Sequence, residues 1–170
     1  MKKTVFIFGA ISGIICVAMF VITFSLEGAI DFEYGQILGY ATMVIAFSTI
    51  FFAVRAHRDK QLGGSIAFGK AFLIGLYITL VASLIYVVGW EFYYTPEFID
   101  KYAEYYVEDM KNNGMTEAEI NKEMEWTELY KNNTFVRMGF TLAEIFPVGL
   151  IISLICAAIL RKKPVVVESA

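Results

Sequence analysis

AFLIGLYITLVASLIYVVGW, residues Ala71–Trp90, runs for 20 residues without a charged side chain. A hydrocarbon core of about 30 Å takes around 20 apolar residues of helix, so this stretch is long enough to span a membrane. Three further blocks repeat the pattern: Thr4–Leu26, Tyr34–Val54 and Met138–Leu160, of 23, 21 and 23 residues. The 170-residue chain is 58% hydrophobic and 18% charged, where a soluble domain carries about 25% charged residues. That excludes a soluble enzyme, a nucleic-acid-binding domain and a disulfide-stapled secreted module. The expected fold is an all-α integral membrane protein. It is an antiparallel four-transmembrane-helix bundle, a single membrane domain over residues 1–170, with a small acidic helical hairpin inserted at 91–134.

Lys2 and Lys3 precede the first block, Arg55, Arg58, Lys60 and Lys70 lie between the second and third, and Arg161, Lys162 and Lys163 follow the fourth. The other side holds no basic residue in Glu27–Glu33 and four in Glu91–Thr134, with Arg137 at the mouth of the fourth block. The positive-inside rule then places both termini in the cytoplasm. A cleaved signal peptide ending near Ser25-Leu26-Glu27-Gly28-Ala29 fits less well, because apolar h-regions run about 7–15 residues. Ile15 also spoils Cys16 as a lipoprotein site.

The segment 91–134 carries 11 acidic and 4 basic residues. Thr95-Pro96-Glu97 reads as a helix start, with Thr as cap and Pro in the first turn. Phe98, Tyr102, Tyr105 or Tyr106 and Met110 recur at helical spacing up to the stop at Asn112-Asn113-Gly114. Thr116-Glu117-Ala118-Glu119 has capping-box spacing, and Ile120, Met124 and Trp126 or Tyr130 form the next stripe. These aromatics are read as an interfacial belt at headgroup level.

Lipid supplies no hydrophobic drive between spans, so small residues that let backbones approach matter more than in water. Gly9 and Gly13 form one G-x-x-x-G, and Gly35 and Gly39 another, continued by Thr42 and Ala46. Gly75, Thr79 and Ser83 mark the third span; Gly139 and Ala143, then Gly149, Ser153 and Ala157, mark the fourth. Each span is expected to offer one close-packing stripe, within the chain or in a homo-oligomer. Cys16 and Cys156 differ in expected depth by roughly 12 Å, too far for a disulfide. His57, the single histidine, sits in the inner basic loop without metal-ligand neighbours, and no cofactor is expected. Asn132-Asn133-Thr134 matches a glycosylation acceptor but lies almost against the membrane.

One acid falls inside a span. Glu144 lies about nine residues, roughly 14 Å, below the outer edge, where a charge costs around 2.5–3.5 kcal/mol. Such a residue faces the interior and finds a partner. Tyr40 and Ser83 fall at similar depth, Arg137 stands two turns above, and Pro147 leaves the Ala143 carbonyl without its helical donor. Two readings follow: a proton- or cation-coupled site, or a protonated side chain that fixes helix register. Glu91 and Gln36 read as boundary residues.

Several stretches together resemble the bacterial membrane family catalogued as domain of unknown function 4199 (DUF4199). They are Phe32-Glu33-Tyr34-Gly35 with Gly39-Tyr40, Tyr40–Phe52 leading into Arg58-Asp59, Gly63-Gly64-Ser65-Ile66 with Phe68-Gly69-Lys70-Ala71-Phe72, and Glu144-Ile145-Phe146-Pro147-Val148-Gly149-Leu150. The resemblance implies a four-span protein of the bacterial inner membrane and no assigned reaction. The Gly63–Phe72 turn permits a tight bend, with Ser65 as a candidate cap, but it lacks the spacing of a phosphate loop. The sequence ranks an accessory or structural bundle without catalytic activity first. A small oligomeric proton- or cation-coupled transporter using Glu144 comes second, and an intramembrane enzyme last. The partners expected are the lipid bilayer and a second copy or another membrane protein, not nucleic acid.

Overall fold

The structure, a computed structural model, describes residues 1–25 and 32–162. Residues 26–31, which hold most of the stretch weighed as a signal-peptide exit, and Lys163 lie outside the described residues. Six helices follow in order: α1 Lys2–Ser25, α2 Phe32–Gln61, α3 Phe68–Tyr93, α4 Pro96–Asn112, α5 Glu117–Asn132 and α6 Thr134–Leu160. Among the described residues there is no strand, only an isolated antiparallel bridge between Ile66 and Lys162. Helices α1, α2, α3 and α6 are long and apolar enough to cross a membrane.

Local chemistry sets each boundary. Helix α2 runs past the expected end at Val54 to Gln61, because nothing breaks it before Gly63 and Gly64, whose φ values of 62° and 86° make the turn. His57 is therefore a buried helical residue and not part of a loop. Ser65 does not cap α3. Its hydroxyl turns back toward the Leu62 carbonyl at 3.5 Å, and the cap position is Ala67, with no side-chain bond. Before Pro96 the chain is extended, and Thr95 accepts from the Phe98 amide at 3.3 Å. At the start of α5 the capping box is complete: Thr116 Oγ1 accepts from the Glu119 amide, and Glu119 accepts from the Thr116 amide at 2.8 Å. Asn133 ends α5 and caps α6, its side chain accepting from the amides of Phe135 and Val136 at 3.0 and 3.2 Å. Helix α6 continues through Pro147, so the expected irregularity there is not a break.

Helix α3 is central, touching α1, α2 and α6, while α2 also packs on α1 and α6. Its closest approaches use glycine. A Cβ on Gly9 or Gly13 would lie 2.7 Å from Val81 or 2.8 Å from Ile85, one on Gly75 2.7 Å from Ser153 Oγ, and one on Gly149 would overlap Thr79. The other three glycines behave differently. A Cβ on Gly39 or Gly139 meets nothing within 4 Å, and one on Gly35 meets only Thr23 at 3.9 Å. Within the chain, the expectation of a close-packing stripe through Gly35-Gly39 and Gly139 is thereby corrected. G-x-x-x-G spacing permits approach without supplying a neighbour, and Gly35 and Gly39 border empty space instead. Toward the chain termini the interior is tight, with Phe47, Ile50, Ala53, Val54, Ile74 and Ala157 fully buried. At the α4–α5 end the four long helices surround a cavity.

Candidate ligand cavity

The cavity measures about 900 Å³ and is walled by all six helices. Helix α1 contributes Cys16 to Thr23, α2 contributes Gly35 to Met43, α3 contributes Tyr86 and Trp90, and α6 contributes Phe140, Thr141 and Glu144. Helices α4 and α5 close it with Phe98 to Tyr106 and with Trp126 and Tyr130. Eleven of the 23 lining residues are aromatic, and they include both tryptophans of the chain. Its size matches the 300–1,000 Å³ of small-molecule sites, and its wall is mostly apolar with a few polar groups, as in such sites.

The polar ends of several rings are tied to one another. Gln36 Nε2 donates to the hydroxyls of Tyr102 and Tyr106 at 2.7 and 3.1 Å, bringing α2 against α4. Trp90 Nε1 donates to the Tyr130 hydroxyl at 2.7 Å. Tyr102 and Tyr106 lie 4.8 Å apart between ring centroids, and Phe20 meets Trp90 edge-on. Burial pushes the Tyr130 phenol up to about 12, and the negative charge of Glu144 acts in the same direction. Tyr102 is also raised, by burial first and then by the Tyr106 hydrogen bond, with Glu144 contributing. These hydroxyls stay neutral at ordinary pH, and both belong to the α4–α5 cover.

Glu144 is the only acid among the described lining residues. It is exposed and borders the cavity, and among the described residues it forms no hydrogen bond or ion pair. Tyr40 lines the same cavity and is half exposed. Ser83 does not line it. It is fully buried elsewhere in α3, and its hydroxyl has no hydrogen-bond partner. Pro147 lies one turn farther along α6, outside the lining.

Arg137 is committed to another carboxylate. Its Nε and Nη2 donate to Glu91 at 2.9 and 2.6 Å in a two-pronged pair. Nη1 reaches the carbonyls of Tyr130 and Lys131 at 3.1 and 3.2 Å, Nη2 also reaches Thr134 Oγ1, and the guanidinium stacks 3.8 Å from the Tyr94 ring centroid. The Arg137 side chain is only 7% exposed and that of Glu91 20%. Glu91, near the end of α3, is thus the partner of Arg137, and Gln36 is a cross-helix tie. The pair joins α3 to α6 across 46 residues of chain. Both lie within a turn of their helix ends, which is the one signal in the sequence that could have suggested the match.

Cys16 and Cys156 are both buried and reduced, with Cys16 in the cavity wall. Among the described residues no group of His, Cys, Asp or Glu is arranged to hold a metal ion.

Four helices of membrane-crossing length with an aromatic cavity at one end define a class of polytopic membrane protein. Residues 7–162 match the family described as protein of unknown function (DUF4199), and the chain belongs to that family. No curated protein and no solved structure matches it.

Proposed function

We propose that this is a non-enzymatic membrane protein that binds a small ligand in the cavity beside Glu144. The observation that carries the reading is an intramembrane carboxylate bordering about 900 Å³ of empty, ring-lined space, with no protein partner among the described residues. Intramembrane acids are costly, and where they occur they usually pair or serve a pathway. The aromatic wall suits binding of a small molecule.

In this reading the long helices form an antiparallel bundle in the bacterial inner membrane, with both termini in the cytoplasm and the acidic α4–α5 hairpin outside. The distribution of Lys and Arg supports that orientation. The cavity then faces the outer leaflet and the hairpin covers its mouth. A purely structural bundle accounts for the glycine contacts of α3 but leaves the cavity without a role.

Filling the cavity tests the reading. A Cβ on Gly39 meets no atom within 4 Å, so Gly39→Phe has room to fold while occupying the space. In nanodiscs, acrylamide is expected to quench Trp90 and Trp126 in the wild type and to lose much of that access in Gly39→Phe. Equal quenching in both proteins, at the level of lipid-buried tryptophan, would overturn the reading.

A further inference from the structure

We infer that the cavity binds an organic cation, an ammonium or similar amine with apolar substituents, with Glu144 as its counter-charge and the surrounding rings as its apolar seat. The inference rests on the binding reading above and adds the chemistry of the ligand.

Three observations carry it. First, the nearest basic residue of α6, Arg137, is consumed by Glu91 in a two-pronged pair, which leaves Glu144 without a cation of its own. Lys101, on the α4 wall, is the one basic residue among the described lining residues. Second, nearly half of the lining is aromatic, and ring faces attract cations most strongly where water is excluded. The protein already uses that interaction where Arg137 stacks on Tyr94. Third, the α4–α5 cover belongs to a segment with 11 acidic and 4 basic residues, which concentrates cations at the entrance and repels anions.

An inorganic ion fits less well. A divalent cation takes six or more oxygen ligands, whereas the described lining residues offer one carboxylate in a space many times an ion's volume. A neutral apolar molecule would fill the space without engaging Glu144.

Because both tryptophans line the cavity, intrinsic fluorescence reports occupancy without a label. The full-length protein in zwitterionic nanodiscs would be titrated with benzyltrimethylammonium and, separately, with its uncharged carbon isostere 2,2-dimethylpropylbenzene. The cation is expected to give a saturable change with an affinity at least about tenfold above that of the isostere. Glu144→Gln is expected to remove most of that preference. Should the variant fail to fold, the wild-type comparison of cation and isostere decides alone. Equal affinity for the two probes, or a preference unchanged in Glu144→Gln, overturns the cation inference while leaving a ligand cavity in place. No saturable change with either probe, together with no acrylamide access to the tryptophans, overturns both readings.

Discussion

Arg137 shares α6 with Glu144, two turns away, and the side-chain geometry pairs it with Glu91. A guanidinium that is 7% exposed, with its donors spread over Glu91, two carbonyls and Thr134, has no donor left to move without loss. Removing one partner of such a pair strands a buried charge, which costs about 3–5 kcal/mol, whereas replacing both by apolar groups of similar volume can be near neutral. Glu91→Gln is therefore expected to destabilise the protein by about 3 kcal/mol, since Glu91 retains some exposure. Glu91→Leu combined with Arg137→Met should recover much of that loss. Unfolding midpoints in mild detergent check both. Glycines divide in the same way. Gly149→Ala drives a methyl into Thr79 and is expected to cost about 1–3 kcal/mol, while Gly39→Ala, facing empty space, should be neutral or slightly stabilising. Similar midpoints for the two variants would contradict the account of where the helices touch.

At the scale of elements, the α4–α5 cover is held by polar contacts that can be tested separately from the long helices. The Glu119 carboxyl sits below its ordinary range because it accepts hydrogen bonds from the Thr116 amide and hydroxyl. A depressed carboxyl pKa contributes stability above its unfolded value, about 4.3, and that contribution disappears as pH falls through the folded value. Amide protection factors in the first turn of α5 should fall selectively below about pH 4, and Thr116→Ala should show the lower protection already at neutral pH. Lys131 responds in the opposite sense. Its pairing with Asp100 raises its pKa, so the contact between α4 and the end of α5 holds at neutral pH and is lost as pH rises through the folded value. Much at this scale was readable in advance. The apolar blocks, the Thr95 and Thr116 caps and the turns at Gly63-Gly64 and Gly114 are local signals, each fulfilled by neighbouring residues. The Glu91–Arg137 pair was not readable, because its partners are 46 residues apart and only the packing of α3 on α6 brings them level. Tyr102, Trp126 and Tyr130 read as an interfacial belt because composition cannot distinguish rings that face headgroups from rings that wall a cavity.

For the whole molecule, the packing is uneven along its length. The half near the termini is closed by Phe47, Ile50, Ile74 and Ile78, while the half near α4 and α5 opens around Glu144. That asymmetry distinguishes a binding protein from a plain bundle of spans, and it rests on Glu144 being reached by water from the cavity. The most direct measurement is the rate at which a water-soluble maleimide labels Glu144→Cys in nanodiscs, with Cys16 and Cys156 replaced by Ala. Ser83→Cys, at a fully buried position outside the cavity, serves as the control. Labelling of position 144 much faster than of position 83, and slowed by Gly39→Phe, is the result predicted. Equal protection of both positions would mean that the cavity is closed to water, and it would contradict the account.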